Sequence, residues 1–105
     1  MSEELSLPEQ LKSQIDRAHW KLLEDHHKRG ALLLVSLTED LVDVGVAIAQ
    51  DNVQKIKELL DNGHLIRTTE ELVAGFDKEE NLEFNFIIIQ PYVLIQNVKE
   101  SEDMQ

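Results

Sequence analysis

The chain of 105 residues contains no cysteine, which excludes disulfide bonds, thiolate nucleophiles, cysteine-ligated zinc and iron–sulfur clusters. Its four glycines are scattered, so the sequence has no glycine-rich loop for a nucleotide phosphate. The longest apolar stretches are about five residues, whereas a membrane-spanning helix needs roughly 20. The N-terminus is acidic and lacks the basic and apolar segments of a secretory signal. We therefore expect a cytoplasmic protein with no membrane partner.

Positive charge is also scarce, with 10 lysines and arginines against 21 aspartates and glutamates and a net charge of −11. The phosphates of nucleic acids repel such a chain, so we expect no nucleic-acid partner. Half of the cations lie between Lys12 and Arg29. This local basic patch is more typical of a solvated helix face than of a nucleic-acid site.

An apolar fraction of 42% and the short length indicate one globular domain over residues 1–105. The polar ends at 1–5 and 98–105 are predicted to be disordered tails. The first long element is predicted as a helix from Leu7 to Arg29. Ser6 and Glu9 have the spacing of a capping box at its start, and Gly30 follows its end.

This predicted helix is apolar over a wide arc. Its main stripe consists of Leu7, Leu11, Ile15, Ala18 and Leu22. Trp20 and Leu23 lie away from that stripe, so either the domain buries the helix on two sides or Trp20 contacts another chain. Large aromatic side chains without a place in the core are enriched at interfaces. The candidate interface residues are therefore Trp20, Leu23 and Tyr92.

The remaining elements are predicted from apolar periodicity and from capping residues. They are a strand at 31–36, a strand at 41–48, a helix at 51–60, a strand at 64–67, a helix at 68–77 and a strand at 82–97. The segment 41–50 is ambiguous: alternating β-branched and small residues favour a strand, while the continuous apolar character also fits a helix.

The predicted fold is α+β, with a small mixed, mostly antiparallel sheet and helices packed on it, in the order α-β-β-α-β-α-β. We expect the strand at 82–97 to lie at the centre of the sheet and the helix at 7–29 to cross one face. Pro91 cannot donate a backbone hydrogen bond, so it marks a bulge, a bend or an edge in the last strand.

Several short motifs together resemble an uncharacterised bacterial family, a domain of unknown function of about the same length. The match covers roughly residues 10–96 and is carried by Trp20 with Leu23, Arg29–Gly30, Asp40–Val44, the helix start at Ala49–Asp51, Leu59 with Gly63, and Pro91–Gln96. Leu59 and Tyr92 stand where many relatives are expected to have tryptophan, and both keep the bulk of the position. The resemblance implies a bacterial, cytoplasmic protein and no activity, cofactor or catalytic residue.

The residue types needed for chemistry do not form a complete set. His19 and His26 are seven residues apart, or about 10 Å along a helix, which is too far for both to hold one metal ion. No serine stands in a nucleophile motif. Among many carboxylates, Asp40 is expected to bond the backbone of a turn, and Asp43 is the candidate for a cleft. We expect no metal and no cofactor.

The sequence therefore favours a non-catalytic bacterial accessory or regulatory module that acts through protein contacts, with another protein or, more specifically, as a homodimer. The alternative is a small-ligand-binding domain or an enzyme, with a pocket near Asp43 and Gly45 and with His19 or His26 at its mouth.

Overall fold

The computed structural model describes residues 6–98. In it, the periodic apolar segments of the sequence form helices and strands. Within this range the chain forms five α-helices and five β-strands. In chain order they are α1 (Leu7–Gln14), β1 (Asp16–His19), α2 (Trp20–Lys28), β2 (Leu32–Val35), α3 (Leu41–Ala49), α4 (Val53–Asp61), β3 (Leu65–Arg67), α5 (Glu70–Asp77), β4 (Glu83–Ile89) and β5 (Tyr92–Asn97). The predicted tails lie outside the described residues, except for Val98.

All five strands belong to one sheet in the spatial order β1-β4-β5-β2-β3. β2 and β5 are parallel, and the other three neighbouring pairs are antiparallel. The predicted α+β fold with a mixed, mostly antiparallel sheet is therefore confirmed. The order of elements agrees with the prediction outside the segments 7–29 and 41–48, and the last predicted strand is divided by a turn.

Helices cover both faces of the sheet, because successive side chains of a strand point to opposite faces. On the first face, Leu94 of β5 belongs to a core with residues of α1, α3 and α4. On the second face, Val93 and Ile95 belong to a core with residues of α2 and α5. The result is three layers, with β5 buried in the middle of the central one.

The segment 7–29 is two helices separated by an edge strand, so the prediction of one helix across one face is wrong. α1 is followed by Ile15, whose backbone is extended, and the chain continues into β1. The apolar residues of this segment divide between opposite faces: Leu7, Leu11 and Ile15 pack with the first core, while Trp20 and Leu23 pack in the second. Of the other predicted stripe residues, Ala18 packs with the second core and Leu22 is exposed. A straight helix cannot reach both faces, whereas an edge strand carries the chain around the sheet.

The segment 41–50 is the helix α3, so the strand favoured by its alternation is wrong. The Asp40 side chain caps this helix by accepting hydrogen bonds from the backbone N–H groups of Val42 and Asp43. The weak helix propensity of valine and glycine is overridden by burial, because Val44, Gly45 and Ala47 lie in the interior. Tertiary packing decided this element.

The last predicted strand is a hairpin of β4 and β5, joined by a tight turn with a cis Gln90–Pro91 bond. Ile89 and Tyr92 are the last paired residues before this turn. The position of Pro91 at a bend is therefore as predicted. β5 is the central strand of the sheet, also as predicted.

Candidate functional site

The candidate interface residues Trp20 and Leu23 lie inside the chain's own core. Trp20 is 0% exposed, and its ring makes edge-on contacts with Phe76 and Phe84 at centroid distances of 4.9 and 6.5 Å. Leu23 is 2% exposed. The expectation that they face a partner is therefore corrected: the second core accounts for the apolar surface that the sequence left unassigned. Tyr92 is half-buried on the first face.

Trp20 is also held by a polar contact. Its indole Nε1–H donates to Asp77 Oδ1 at 2.8 Å, and Lys21 Nζ lies 3.4 Å from the same oxygen. The hydrogen bond from Trp20 is the main reason why the pKa of Asp77 lies below its ordinary value, and the charge of Lys21 lowers it further. This cluster joins the start of α2 to the end of α5, so its evident role is structural.

The three candidate pocket residues are not brought together. His19 caps α2, with Nδ1 accepting from the backbone N–H of Lys21 at 3.2 Å and Nε2 lying 2.7 Å from the carbonyl oxygen of Glu80. His26 Nδ1 accepts from Arg29 Nη2 at 2.6 Å. His19 ends β1 at the edge of the sheet and His26 lies on α2 at the second face, whereas Asp43 lies on α3, at the first.

Gly45 does not border a cleft. It is buried, and a Cβ at this position would lie 3.2 Å from Leu11 Cδ1 and 3.6 Å from Ile89 Cδ1. The lack of a side chain lets α3 lie close to α1 and to the sheet. The predicted pocket beside Gly45 is therefore filled by apolar side chains.

Asp43 instead lines an open groove of about 590 Å³, which we call the polar groove. It lies where the parallel strands β2 and β5 end, between α1, the start of α3 and the last residues of the sheet. Its charged and amide side chains are those of Glu9, Lys12, Arg17, Glu39, Asp40, Asp43, Asn85, Gln96 and Asn97. The carboxyl ends of parallel strands are a common position for ligands in sheets with helices on both faces.

Three polar residues form a row across the floor of the polar groove. In the strand register Arg17 pairs with Asn85, and Asn85 pairs with Gln96. Gln96 is 8% exposed, and its Nε2 donates to the carbonyl oxygens of Ser36 and Glu39 at 2.9 and 2.7 Å. Gln96 therefore fixes the loop between β2 and α3, which forms one wall of the groove.

A second groove, of about 230 Å³, lies on the other side of the first layer, and we call it the apolar groove. It is lined by Leu33, Ile48, Asp51, Ile56, Leu60, Leu65, Arg67 and Tyr92. Along α4 it continues into an exposed stripe, since Val53 is 66% and Leu60 49% exposed. Val53, Ile56 and Leu60 follow the i, i+3, i+7 spacing of one helix side.

The sequence pointed to this surface through Tyr92 and missed the α4 stripe. The helix periodicity puts Val53, Ile56, Leu59 and Leu60 on one side of α4, and all of them would be expected to face the core. Only Leu59 is buried, because α4 packs beside the short edge strand β3 at the border of the sheet. The apolar side of α4 is wider than a helix at the edge of a sheet can bury, and this width is the sequence signal that could have predicted the stripe.

Within residues 6–98, no group of three histidine, aspartate or glutamate side chains is placed to hold a metal ion. In the same part of the chain, no helix is long and apolar enough to cross a membrane. The polar groove and the apolar groove are therefore the features on which a function can be argued.

A protein family described as "Protein of unknown function (DUF2288)" matches residues 6–97. The resemblance found in the sequence to an uncharacterised family is therefore confirmed. The NMR solution structure of PA1075 from Pseudomonas aeruginosa is similar over 100% of this chain and 97% of that chain, with 28% identity and a TM-score of 0.78. None of the curated proteins matches the chain.

Proposed function

This chain belongs to the DUF2288 family of proteins of unknown function, and we propose that it is a non-catalytic accessory or regulatory module that acts through protein contacts as a homodimer. The observation that carries the proposal is the exposed apolar stripe of α4, which is continuous with the apolar groove beside Tyr92. We also propose a bacterial origin, which the similarity to the Pseudomonas aeruginosa structure supports, and a cytoplasmic location, which fractionation of the source cells would test.

The α4 surface has the composition of a contact surface. Its centre consists of Ile56 and Leu60, with Val53 at one end and the Tyr92 ring in the adjoining groove. Solvent exposure of large aliphatic side chains at 66% and 49% along one helix side is unfavourable, and covering them removes apolar area from water. Asp51 and Arg67 line the groove beside these residues and provide polar groups at its border.

Charge favours a second copy as the occupant of this surface. The chain as a whole carries −11, so most approaches of one copy to another are repulsive. Between residues 51 and 67 the sequence has three acidic residues (Asp51, Glu58 and Asp61) and three basic residues (Lys55, Lys57 and Arg67). This segment is therefore neutral, and two copies can meet here with little charge repulsion between the segments.

A twofold dimer places the same patch of both copies face to face. A patch that carries both signs of charge around an apolar centre can then pair its acidic groups with the basic groups of the other copy. The α4 surface meets this requirement, since Lys57 and Asp61 flank the stripe on the same helix, with Nζ and Oδ2 2.9 Å apart. In a dimer these side chains can exchange their intrahelical pair for one between copies.

The oligomeric state tests the proposal directly. Gel filtration with light scattering at high micromolar concentration is expected to give the mass of a dimer for the unchanged chain. Leu60→Glu puts a charge into the centre of the stripe and should give a monomer with unchanged circular dichroism. Leu22→Glu is the matched control, because Leu22 is 74% exposed on α2 at the second face, and this variant should remain dimeric.

A monomeric mass for the unchanged chain at that concentration contradicts the homodimer. A dimer that persists in Leu60→Glu but is lost in Leu22→Glu contradicts the assignment of the interface to α4. Both variants replace exposed leucines by the same charged residue, so a nonspecific effect of added charge would affect them equally.

A further inference from the structure

The polar groove combines free groups of both charges, and we propose that it binds a small zwitterion, a molecule that carries one carboxylate and one ammonium group, such as a free α-amino acid. This inference does not depend on the dimer, because α4 contributes no residue to the polar groove. It replaces the pocket that the sequence predicted near Gly45 and retains only Asp43 from it.

Most acidic groups of the groove are already occupied by the fold. Glu9 Oε1 accepts from the backbone N–H of Ser6 at 3.1 Å in the capping box of α1. Asp40 Oδ1 accepts from the start of α3, and Glu39 Oε2 lies 2.8 Å from His64 Nδ1. These three carboxylates stabilise the local structure, so they are poor candidates for holding a ligand.

The charged groups that remain are two cations and one anion. Within residues 6–98, the Lys12 ammonium and the Asp43 carboxylate make no hydrogen bond or ion pair. In the same range the Arg17 guanidinium is paired only through Nε, which donates to Glu83 Oε1 at 2.8 Å, so its two terminal nitrogens remain available. A ligand carboxylate is suited to Lys12 and Arg17, and a ligand ammonium is suited to Asp43.

The position of these groups agrees with a bound molecule of that kind. Arg17 is on the edge strand β1, Lys12 is on α1 and Asp43 is in the first turn of α3, so they approach the groove from three different elements. Asn85 pairs with Arg17 in the sheet, lines the same groove and offers an amide to a polar side chain of the ligand. A volume of about 590 Å³ lies within the range of small-molecule sites and is ample for an amino acid.

The polar groove is less suited to a phosphate ester than to a zwitterion. The backbone N–H groups of Val42 and Asp43 at the start of α3 already donate to Asp40. They are therefore not available to bind phosphate in the way that an uncapped helix start binds it. Asp43 would also repel a ligand whose only charges are negative, whereas it attracts the ammonium group of a zwitterion.

The experiment is a titration of ¹⁵N-labelled protein with a panel of free L-amino acids of apolar, polar and charged side chains at millimolar concentration. At least one member should give saturable shifts of the backbone amides of Lys12, Asp43 and Asn85. Its N-acetyl derivative, which lacks the ammonium, and its α-amide, which lacks the carboxylate, should each bind at least about tenfold more weakly.

Variants locate the site. Lys12→Gln and Asp43→Asn should each weaken binding at least about tenfold. Lys28→Gln and Asp25→Asn are the matched controls, because both side chains are exposed on α2 at the second face, and they should bind like the unchanged protein. All four positions are exposed, and the spectra themselves show whether each variant is folded.

Three results would overturn the proposal. The first is that no amino acid of the panel shifts the groove residues. The second is that a singly charged derivative binds as tightly as its parent, which would mean that one of the two charges is not recognised. The third is that the control substitutions weaken binding as much as those in the groove.

Discussion

The buried indole of Trp20 has one polar atom, and burial of such a group is favourable only when it has a hydrogen-bond partner. Asp77 provides that partner at the end of α5, and the pKa of Asp77 is lowered as a result. The carboxylate form accepts the indole N–H more strongly than the protonated form does. At the scale of the residue, the packing of the second core is therefore linked to the ionisation of a single acid.

This link predicts a specific dependence of stability on pH. Because the pKa of Asp77 is lower in the folded chain than in the unfolded chain, its contribution is present above the ordinary value of 3.8 and is lost as the pH falls through the lowered value. Asp77→Asn should be less stable than the unchanged chain at neutral pH, and the difference should disappear in acid. Urea unfolding followed by the fluorescence of the single tryptophan measures both.

Asp25→Asn is the control for this comparison, because the Asp25 side chain is exposed on the same helix as Trp20. Its urea midpoint should follow that of the unchanged chain at every pH. An Asp77→Asn variant whose stability falls with acid as steeply as that of the unchanged chain would show that Asp77 makes no such contribution.

At the scale of the element, two glycines inside helices show that packing decides whether an added side chain raises or lowers stability. Gly45 of α3 faces Leu11 of α1 closely, whereas a Cβ at Gly75 of α5 would meet no atom within 4 Å. Glycine costs about 0.5–1 kcal/mol relative to alanine inside a helix. Replacing Gly75 by alanine would therefore increase stability, whereas Gly45 is required by the close contact between α3 and α1.

Gly75→Ala should raise the free energy of unfolding by about 0.5–1 kcal/mol, because it adds helix propensity without a steric conflict. Gly45→Val should lower it by about 1–3 kcal/mol, because the larger side chain overpacks the contact with Leu11. Chemical denaturation of both variants measures the two effects. A stabilised Gly45→Val variant would mean that α1 and α3 can separate at no cost.

An element could be predicted from the sequence when residues close to it in the chain determine its structure. The capping box of Ser6 and Glu9 and the cap at Thr69 fix the starts of α1 and α5, and the sequence predicted the start of α1 and the position of α5 correctly. The break after Gln14 and the helix at 41–49 depend on which face of the sheet each apolar patch covers. Periodicity reveals that a side chain is buried but not against which layer, so both were predicted wrongly.

The candidate site was predictable to a smaller extent for the same reason. Asp43 and Tyr92 do line grooves, but the groups beside them come from distant parts of the chain. Arg17, Asn85 and Gln96 become neighbours only through the register of three strands. No spacing along the sequence contains that information.

At the scale of the whole molecule, the net charge of −11 governs how copies meet. The proposed dimer joins two neutral patches, but the remaining surfaces of the two copies still repel each other across the gap. At 0.1 M ionic strength, salt largely screens the repulsion between exposed charges that lie more than about 10 Å apart. Most interfaces held by opposite charges are instead weakened by salt.

The proposed dimer should therefore become tighter as salt is added. We expect a dissociation constant, measured by sedimentation equilibrium, that falls by about tenfold (about 1.4 kcal/mol) between low and moderate ionic strength. Leu22→Glu, which adds charge away from α4, should steepen this dependence. A dissociation constant that rises with salt would indicate that ion pairs, rather than the apolar stripe, hold the copies together.

The central position of β5 also determines when the sheet and its two cores can form during synthesis. β5 is the middle strand of the sheet and, within residues 6–98, the last element in chain order, and it joins β4 to β2. Without β5, the β1–β4 pair and the β2–β3 pair are two separate two-stranded pieces. Both helical layers pack on β5, so the two cores can be completed only after β5 has been synthesised and has paired with β4 and β2.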